Sequence, residues 1–325
     1  MTTLYGNDDF TILRNMSTSQ STQSTQDTAT TSFMSTSSNF ELSELKKYRQ
    51  YWWKTGKLHS KARWEEATLP YELTTEVPFD TYVERTDKYN IHGWWEWKNG
   101  TVIVIELPTK FHERCVGAII REINLVTGGV RSTNVDILYD GATTTKTPRT
   151  GKEADASWLP VSKPRLIRGG CDESGTQPWS NLVVEIAYSQ SEADVKNKVE
   201  QYWLQGGRAH DAIAIKIEEP IAPATRPSIM TAWHYCINNR TAIGALNPTM
   251  YEFGTIDRNG NPIILQPGQC IINIQLACLY HGVPANVLNP PPPPLPRLPP
   301  PNPFATLPNP IPIDMFHVQF AILNN

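Results

Sequence analysis

The run LVVEIA, Leu182–Ala187, limits the architecture more than any other stretch of this chain. Its residues are apolar except one, and they show no alternation with polar ones. Such a strand is covered on both faces of its sheet. A doubly covered sheet needs helices packed on it, and SEADVKNKVEQYWLQGG supplies one directly downstream. There Val195, Val199 and Tyr202 fall at helical spacing, and Gly206-Gly207 gives the stop. The exception in the run is Glu185. A lone ionised carboxylate inside such a strand is costly, so it must be paired or neutralised.

The rest of the chain divides around this core. Residues 15–40 are nearly all Ser, Thr and Gln; they cannot offset ordering entropy, so 1–40 is expected to be a disordered tail. Residues 41–65 form a basic, aromatic helical segment carrying Lys46, Lys47, Arg49, Trp52, Trp53, Lys54, Lys57, Lys61, Arg63 and Trp64. It suits either nucleic-acid contact or docking of its aromatics on the main domain. The ordered domain is expected over 66–285. Residues 286–325, with NPPPPPLPRLPPPNP, are expected to be a Pro-rich tail, either a stiff spacer or a ligand for a proline-recognition domain.

Within 66–285, WWEWKN and TVIVIEL read as a hairpin turned at Asn99-Gly100, and HERCVGAIIREINLV as a helix. RSTNVDILYD, EADASWLP, NLVVEIAYS and AHDAIAIKIEE read as strands, and GATTTKTPRTG as a polar loop. TMYEFGTIDRNGNPIILQPG reads as a second hairpin, turned at Asn259-Gly260. The fold class is therefore α/β, a restriction-endonuclease-like mixed sheet flanked by helices and hairpins.

Bulk properties exclude several classes. The five cysteines form no CxxC pair and their number is odd, so neither a disulfide framework nor a structural zinc site is expected. The start MTTLYGNDDF lacks the basic and apolar regions of a signal peptide, and no apolar run approaches the ~20 residues that span a bilayer. An intracellular protein, cytoplasmic or nuclear and without membrane contact, is expected. The net charge of -3 requires any basic footprint for nucleic acid to be local. Lys46–Lys61 and the loop with Lys146, Arg149 and Lys152 are the candidates.

Asp155, in EADASWLP, is a second acid among small and apolar neighbours. Two carboxylates from adjacent strands, meeting at one sheet edge, form a site for a hard cation such as Mg²⁺ or Mn²⁺. An ammonium group to orient the attacking water is available from Lys198 or Lys196. They lie about 65° and about 95° from the centre of the helix's buried face, so periodicity separates them only slightly.

This set resembles the Uma-type restriction endonuclease family of the PD-(D/E)XK nuclease superfamily. The resemblance rests on WEWKNG with Glu96, FHERCVGAIIREI with His112, EADASW with Asp155, LVVEIAYS with Glu185, and KVEQYWLQGG with Lys198 and Tyr202, in that order. The late IILQPGQCIINI is similar to that family's terminal strand. The resemblance implies Asp155 and Glu185 as metal ligands and Lys198 as a migrated catalytic lysine, since Ala187 stands where a lysine would follow Glu185 directly. Ala154 replaces the proline expected before the catalytic Asp. Glu96 would be an extra ligand or a hairpin residue, His112 a phosphate contact or a capping residue, and Tyr202 a packing residue with its hydroxyl near the site.

Two functions are then open. One is a Mg-dependent DNA endonuclease, with DNA expected ahead of RNA and a homodimer as one route to cutting both strands. The other is a catalytically inactive nuclease-fold module that recruits partners through its Pro-rich tail. Glycosidase chemistry by a carboxylate pair fits less well, because it leaves the lysine unexplained.

Overall fold

The computed structural model describes residues 47–62, 69–91, 93–107, 109–128, 136–141, 144–147, 150–172, 174–288 and 307–324. The expected tail 1–40 lies outside them. So do Lys46, Arg63, Trp64, Arg149 and the PPLPRLPP stretch.

Two sheets carry the site. The first has five antiparallel strands: β1 (Tyr71–Thr74), β2 (Trp95–Lys98), β3 (Thr101–Val104), β5 (Thr144–Thr147) and β6 (Thr150–Glu153), in the order β1-β3-β2-β6-β5. Asn99 and Gly100 both adopt positive φ, 50° and 84°, as a tight two-residue hairpin turn requires. The second sheet has six strands: β4 (Ile137–Tyr139), β7 (Ala156–Pro160), β8 (Leu182–Ala187), β9 (Asp211–Ile217), β10 (Met230–Cys236) and β11 (Thr249–Glu252). Their order is β11-β10-β9-β8-β7-β4, with β8 and β9 parallel and the other pairs antiparallel. The mixed α/β architecture is the one expected.

Helices cover both faces of the six-stranded sheet. Val184 and Ile186 of β8 pack with Cys115, Ile119 and Ile123 of the helix Lys110–Thr127 on one face. On the other, Val183 and Ala187 pack with Val195 and Val199 of the segment Glu192–Trp203. Every residue of β8 is buried, which accounts for its unbroken apolar run. Ser191 starts the second helix, its Oγ accepting from Asp194 N at 3.1 Å. After Lys198 this helix widens into a π-type turn over Val199–Trp203, which re-aims the side chains that follow.

Four stretches depart from expectation. The polar loop GATTTKTPRTG contributes the β5–β6 hairpin, because its threonines favour extended backbone and Thr145 is buried with its hydroxyl on Tyr202. The turn at Asn259-Gly260 forms, but no ladder extends from it. Pro262 lacks an N–H and supports only a bridge to Ile256, and β11 pairs with β10 instead. Strand β10 itself was not anticipated. Finally, residues 307–324 fall inside the expected Pro-rich tail, yet they belong to the core. Strand β13 (Ile311–Asp314) pairs antiparallel with β12 (Ile271–Ile274), and the helix Met315–Leu323 buries Met315, Val318 and Ile322. The proline run masked an apolar segment, MFHVQFAIL, behind it.

Residues 47–55 are helical and sit on the five-stranded sheet. Trp52 is fully buried edge-to-face with Trp95, and Arg85 stacks over Trp53. The docking alternative thus describes these aromatics, while Lys47, Lys54, Lys57 and Lys61 face solvent. No described helix is long and apolar enough to cross a membrane.

Candidate functional site

The two sheets meet at Asp155. Strand β6 ends at Glu153, β7 begins at Ala156, and Asp155 occupies the crossover between them. Its backbone N–H donates to Val184 O at 3.1 Å, and its Oδ2 accepts from Ile186 N at 2.6 Å. These bonds fix the carboxylate beside β8. Gly93 closes over it with φ 76°, and a Cβ there would stand 2.5 Å from Asp155 Oδ1. Only glycine fits that approach.

Each covering helix sends one cation to this point. From Lys110–Thr127 comes His112, placed by Thr109, whose side chain accepts from His112 N at 3.2 Å. His112 Nε2 stands 3.3 Å from Asp155 Oδ1. Burial disfavours an imidazolium there, but Asp155 outweighs it, with Glu113 and Glu106 adding, and the pKa is raised well above its usual value. From Glu192–Lys198 comes Lys198, whose Nζ lies 2.9 Å from Glu185 Oε2, 3.3 Å from Glu96 Oε1 and 2.9 Å from Glu153 O. Trp203, aimed by the π-type turn, donates its Nε1–H to Glu185 Oε1.

The electrostatics follow from burial and proximity. Burial pushes the Glu185 carboxyl up; Lys198 pulls it back in part, and the neighbouring charge of Asp155 pushes it up again. Burial opposes the Lys198 ammonium, yet Glu185, Glu96 and Asp155 together hold its pKa above the usual lysine value. Glu96 is desolvated too, but Lys198 and Lys152 outweigh that and lower its pKa. The cluster is oxygen-rich, and Asp155 and Glu185 still repel each other although His112 and Lys198 offset part of their charge; a hard divalent cation suits such a carboxylate pair. Asp155 and Glu185, with Glu96 behind them, are the residues that fit such an ion.

Asp155, Glu185, Lys198, Glu96 and His112, the candidates from sequence, therefore converge in one ion network. Tyr202 lies beside it: its hydroxyl shares a hydrogen bond with Thr145 Oγ1 at 2.8 Å, not with a carboxylate of the cluster. Lys196 points elsewhere, pairing with Glu192 at 2.6 Å over the ring of Trp233. Lys152, read as a nucleic-acid contact, pairs with Glu96.

Sequence reasoning missed Trp203, Gly93 and Glu106. Glu106 accepts the N–H groups of Tyr188 (2.9 Å), Ser189 (2.7 Å) and Gln190 (3.0 Å), and so anchors the chain just past β8. It stands next to last in TVIVIEL, just past β3, a lone acid in an apolar run like the one that exposed Glu185. The other two carry no such signal, since a π-type turn and a close backbone approach appear only in three dimensions.

No family model matches the chain, and no curated protein is similar enough to count as a relative. Among solved structures, the chain is similar to a candidate nuclease of the DUF820 family from Anabaena variabilis. Identity is 14% over 49% of this chain and 76% of that one, with a TM-score of 0.33.

Proposed function

We propose that this protein is a metal-dependent phosphodiesterase that hydrolyses the DNA backbone at the Asp155–Glu185–Lys198 cluster. The observation that carries this reading is the convergence itself: two strand-borne carboxylates and one helix-borne ammonium, brought together from positions 155, 185 and 198. Asp155 and Glu185 would hold Mg²⁺ or Mn²⁺, which when bound lowers the pKa of a water and polarises a phosphoryl oxygen.

The protein's own groups have separable tasks. Lys198 is surrounded by three acids that keep it protonated. It therefore cannot take a proton from the attacking water; it orients that water and offsets charge developing on phosphorus. Glu96, kept ionised by Lys198 and Lys152, is a poor proton acceptor; its task is to hold Lys198 in place and protonated. His112 holds Asp155 in its orientation and offsets part of its charge.

Plasmid DNA incubated with the full chain and Mg²⁺ should be nicked or cut. EDTA and Glu185→Gln should each stop the reaction. If wild type and Glu185→Gln leave DNA and RNA equally untouched with both Mg²⁺ and Mn²⁺, the reading is wrong.

One observation favours a second reading, a nuclease-fold module without catalysis. Asp155, Glu185 and Lys198 are only 9%, 2% and 4% exposed, and their charges are already neutralised internally. On that reading the network is architecture, and recruitment of partners by residues 289–306 is the function. Deleting 289–306 would then abolish capture by a proline-recognition domain, while Glu185→Gln would leave it intact. That deletion must stop at 306, since β13 begins at Ile311.

A further inference from the structure

A second cluster of metal-binding side chains lies across the six-stranded sheet. His210 and Asp211 enter β9, Cys236 ends β10, and Cys278 sits on the short helix Leu276–Leu279. Cys236 and Asp211 are direct partners in the β9–β10 ladder, so their side chains share a face. One ligand atom from each of the four residues lies within 4.8 Å of all the others. The two sulfurs are 3.4 Å apart.

The donor atoms face one another and little else. His210 Nδ1 and both Asp211 oxygens are buried and make no hydrogen bond among the described residues. His210 is 6% exposed and Asp211 1%. Cys236 approaches His210 and Asp211 as well as Cys278. A buried carboxylate with neither oxygen hydrogen-bonded is unfavourable, and a cation among these groups would relieve it.

The surroundings are organised to hold the four in place. Asn181, itself fully buried, accepts at its carbonyl from His210 N and Asp211 N, each at 2.9 Å. Its Nδ2 donates to Leu279 O at 2.6 Å and His281 O at 2.9 Å. One residue thus ties the His210–Asp211 corner to the segment bearing Cys278. The His281 ring packs on His210 at 4.1 Å, and His234 Nε2 stands 3.8 Å from Asp211 Oδ1. Such outer partners are what ligating groups use to fix their orientation.

We propose that His210, Asp211, Cys236 and Cys278 bind one zinc ion as a closed, four-ligand structural site. Two sulfurs, one nitrogen and one oxygen make a zinc donor set, whereas the carboxylate pair Asp155–Glu185 suits magnesium. A tetrahedral zinc site of this composition has ligand-to-ligand edges of roughly 3.3–3.8 Å, close to the observed sulfur separation. Binding converts both thiols to thiolates and releases their protons to solvent. With four protein ligands the ion has no open position, so it staples the 276–281 segment to the β9–β10 edge. The expectation of no zinc site came from spacing rules, and residues at 210, 236 and 278 satisfy none of them.

The test uses the full chain, expressed with zinc and purified under reductant, and does not depend on any nuclease activity. Metal analysis should find about one zinc per chain in wild type and in Glu185→Gln, and a loss of zinc in the Cys236→Ser/Cys278→Ser double variant. Wild type reloaded with Co²⁺ should show a thiolate-to-cobalt charge-transfer band that the double variant lacks. If that variant fails to fold, Asp211→Asn should still weaken cobalt binding while retaining the band. Zinc below about a tenth of an ion per wild-type chain, with no charge-transfer band on Co²⁺ addition, would overturn the site. So would a band unchanged by loss of both cysteines, or a Cys236–Cys278 disulfide in protein that takes up neither metal.

Discussion

The two faces of one sheet treat buried charge in opposite ways. On the face toward the helix Glu192–Lys198, Glu185 is matched by Lys198, with Glu96 and Lys152 completing the pairing. On the opposite face, Asp211 stands among thiols and imidazoles, and its carboxylate oxygens make no hydrogen bond among the described residues. The two acids are one strand and three residues apart, since Glu185 pairs with Ala214 and Leu182 with Asp211, or about 10 Å along the strand. The difference separates two solutions to one problem. A charge balanced by the chain's own cations is stable without help and must be disturbed to work. A carboxylate without hydrogen bonds of its own is, on the proposal above, met by a metal ion.

The contrast can be broken most sharply through activity. Glu185→Gln keeps the shape of the site but removes a charge, and should lower DNA cleavage by about 10³-fold or more. A plasmid-nicking assay reads this directly. Next in size is stability. Lys198→Ala leaves Glu185 buried without its cation and should cost about 3–5 kcal/mol in a denaturant titration. The combined Lys198→Met/Glu185→Gln variant should recover much of that loss, because both charges leave together.

Two pH effects sharpen the comparison further. The folded Glu185 carboxyl binds its proton more tightly than an ordinary glutamate, so protons compete with a divalent ion there. Mg²⁺ affinity measured by calorimetry should rise by about tenfold per pH unit above the ordinary carboxylate range, then level off once Glu185 is ionised. Glu185→Gln should flatten the slope. His112 acts through stability in metal-free protein. Its folded pKa is raised, so its contribution is full below the unfolded value of about 6.5 and is lost as pH climbs through the folded value. Wild type should lose about 1.4 kcal/mol per pH unit in that window relative to His112→Gln. The smallest expected effect is a control. Lys196→Ala removes a partly exposed i,i+4 pair and should change stability by no more than about 0.5 kcal/mol and cleavage not at all.

Legibility in the sequence followed the range of the interactions. The strands of the six-stranded sheet were readable where apolar runs were long, as in β8 and β9, and so was the α/β class. Asp155, Glu185 and Lys198 were readable because each broke a local pattern: an acid in an apolar strand, a lysine near a buried helical face. Lys198 and Lys196 could not be separated by periodicity, since the answer depended on which helical face met β8. The Thr-rich β5–β6 hairpin looked like a loop because its pairing partner, β2, lies about fifty residues earlier. The His210–Asp211–Cys236–Cys278 cluster was invisible for the same reason. Its members come from three separate elements, and only the fold gathers them.

The return of the chain after its proline run changes what that run is. With β13 seated against β12, residues 289–306 are fastened at both ends to a single hydrophobic interior. A protease cutting there would yield two fragments that stay together until denatured. A protein gripping those prolines would pull on the strand at Ile311 and, through the helix behind it, on the helix that carries His112. What reads as a dangling end in the sequence is a connection between two parts of one core.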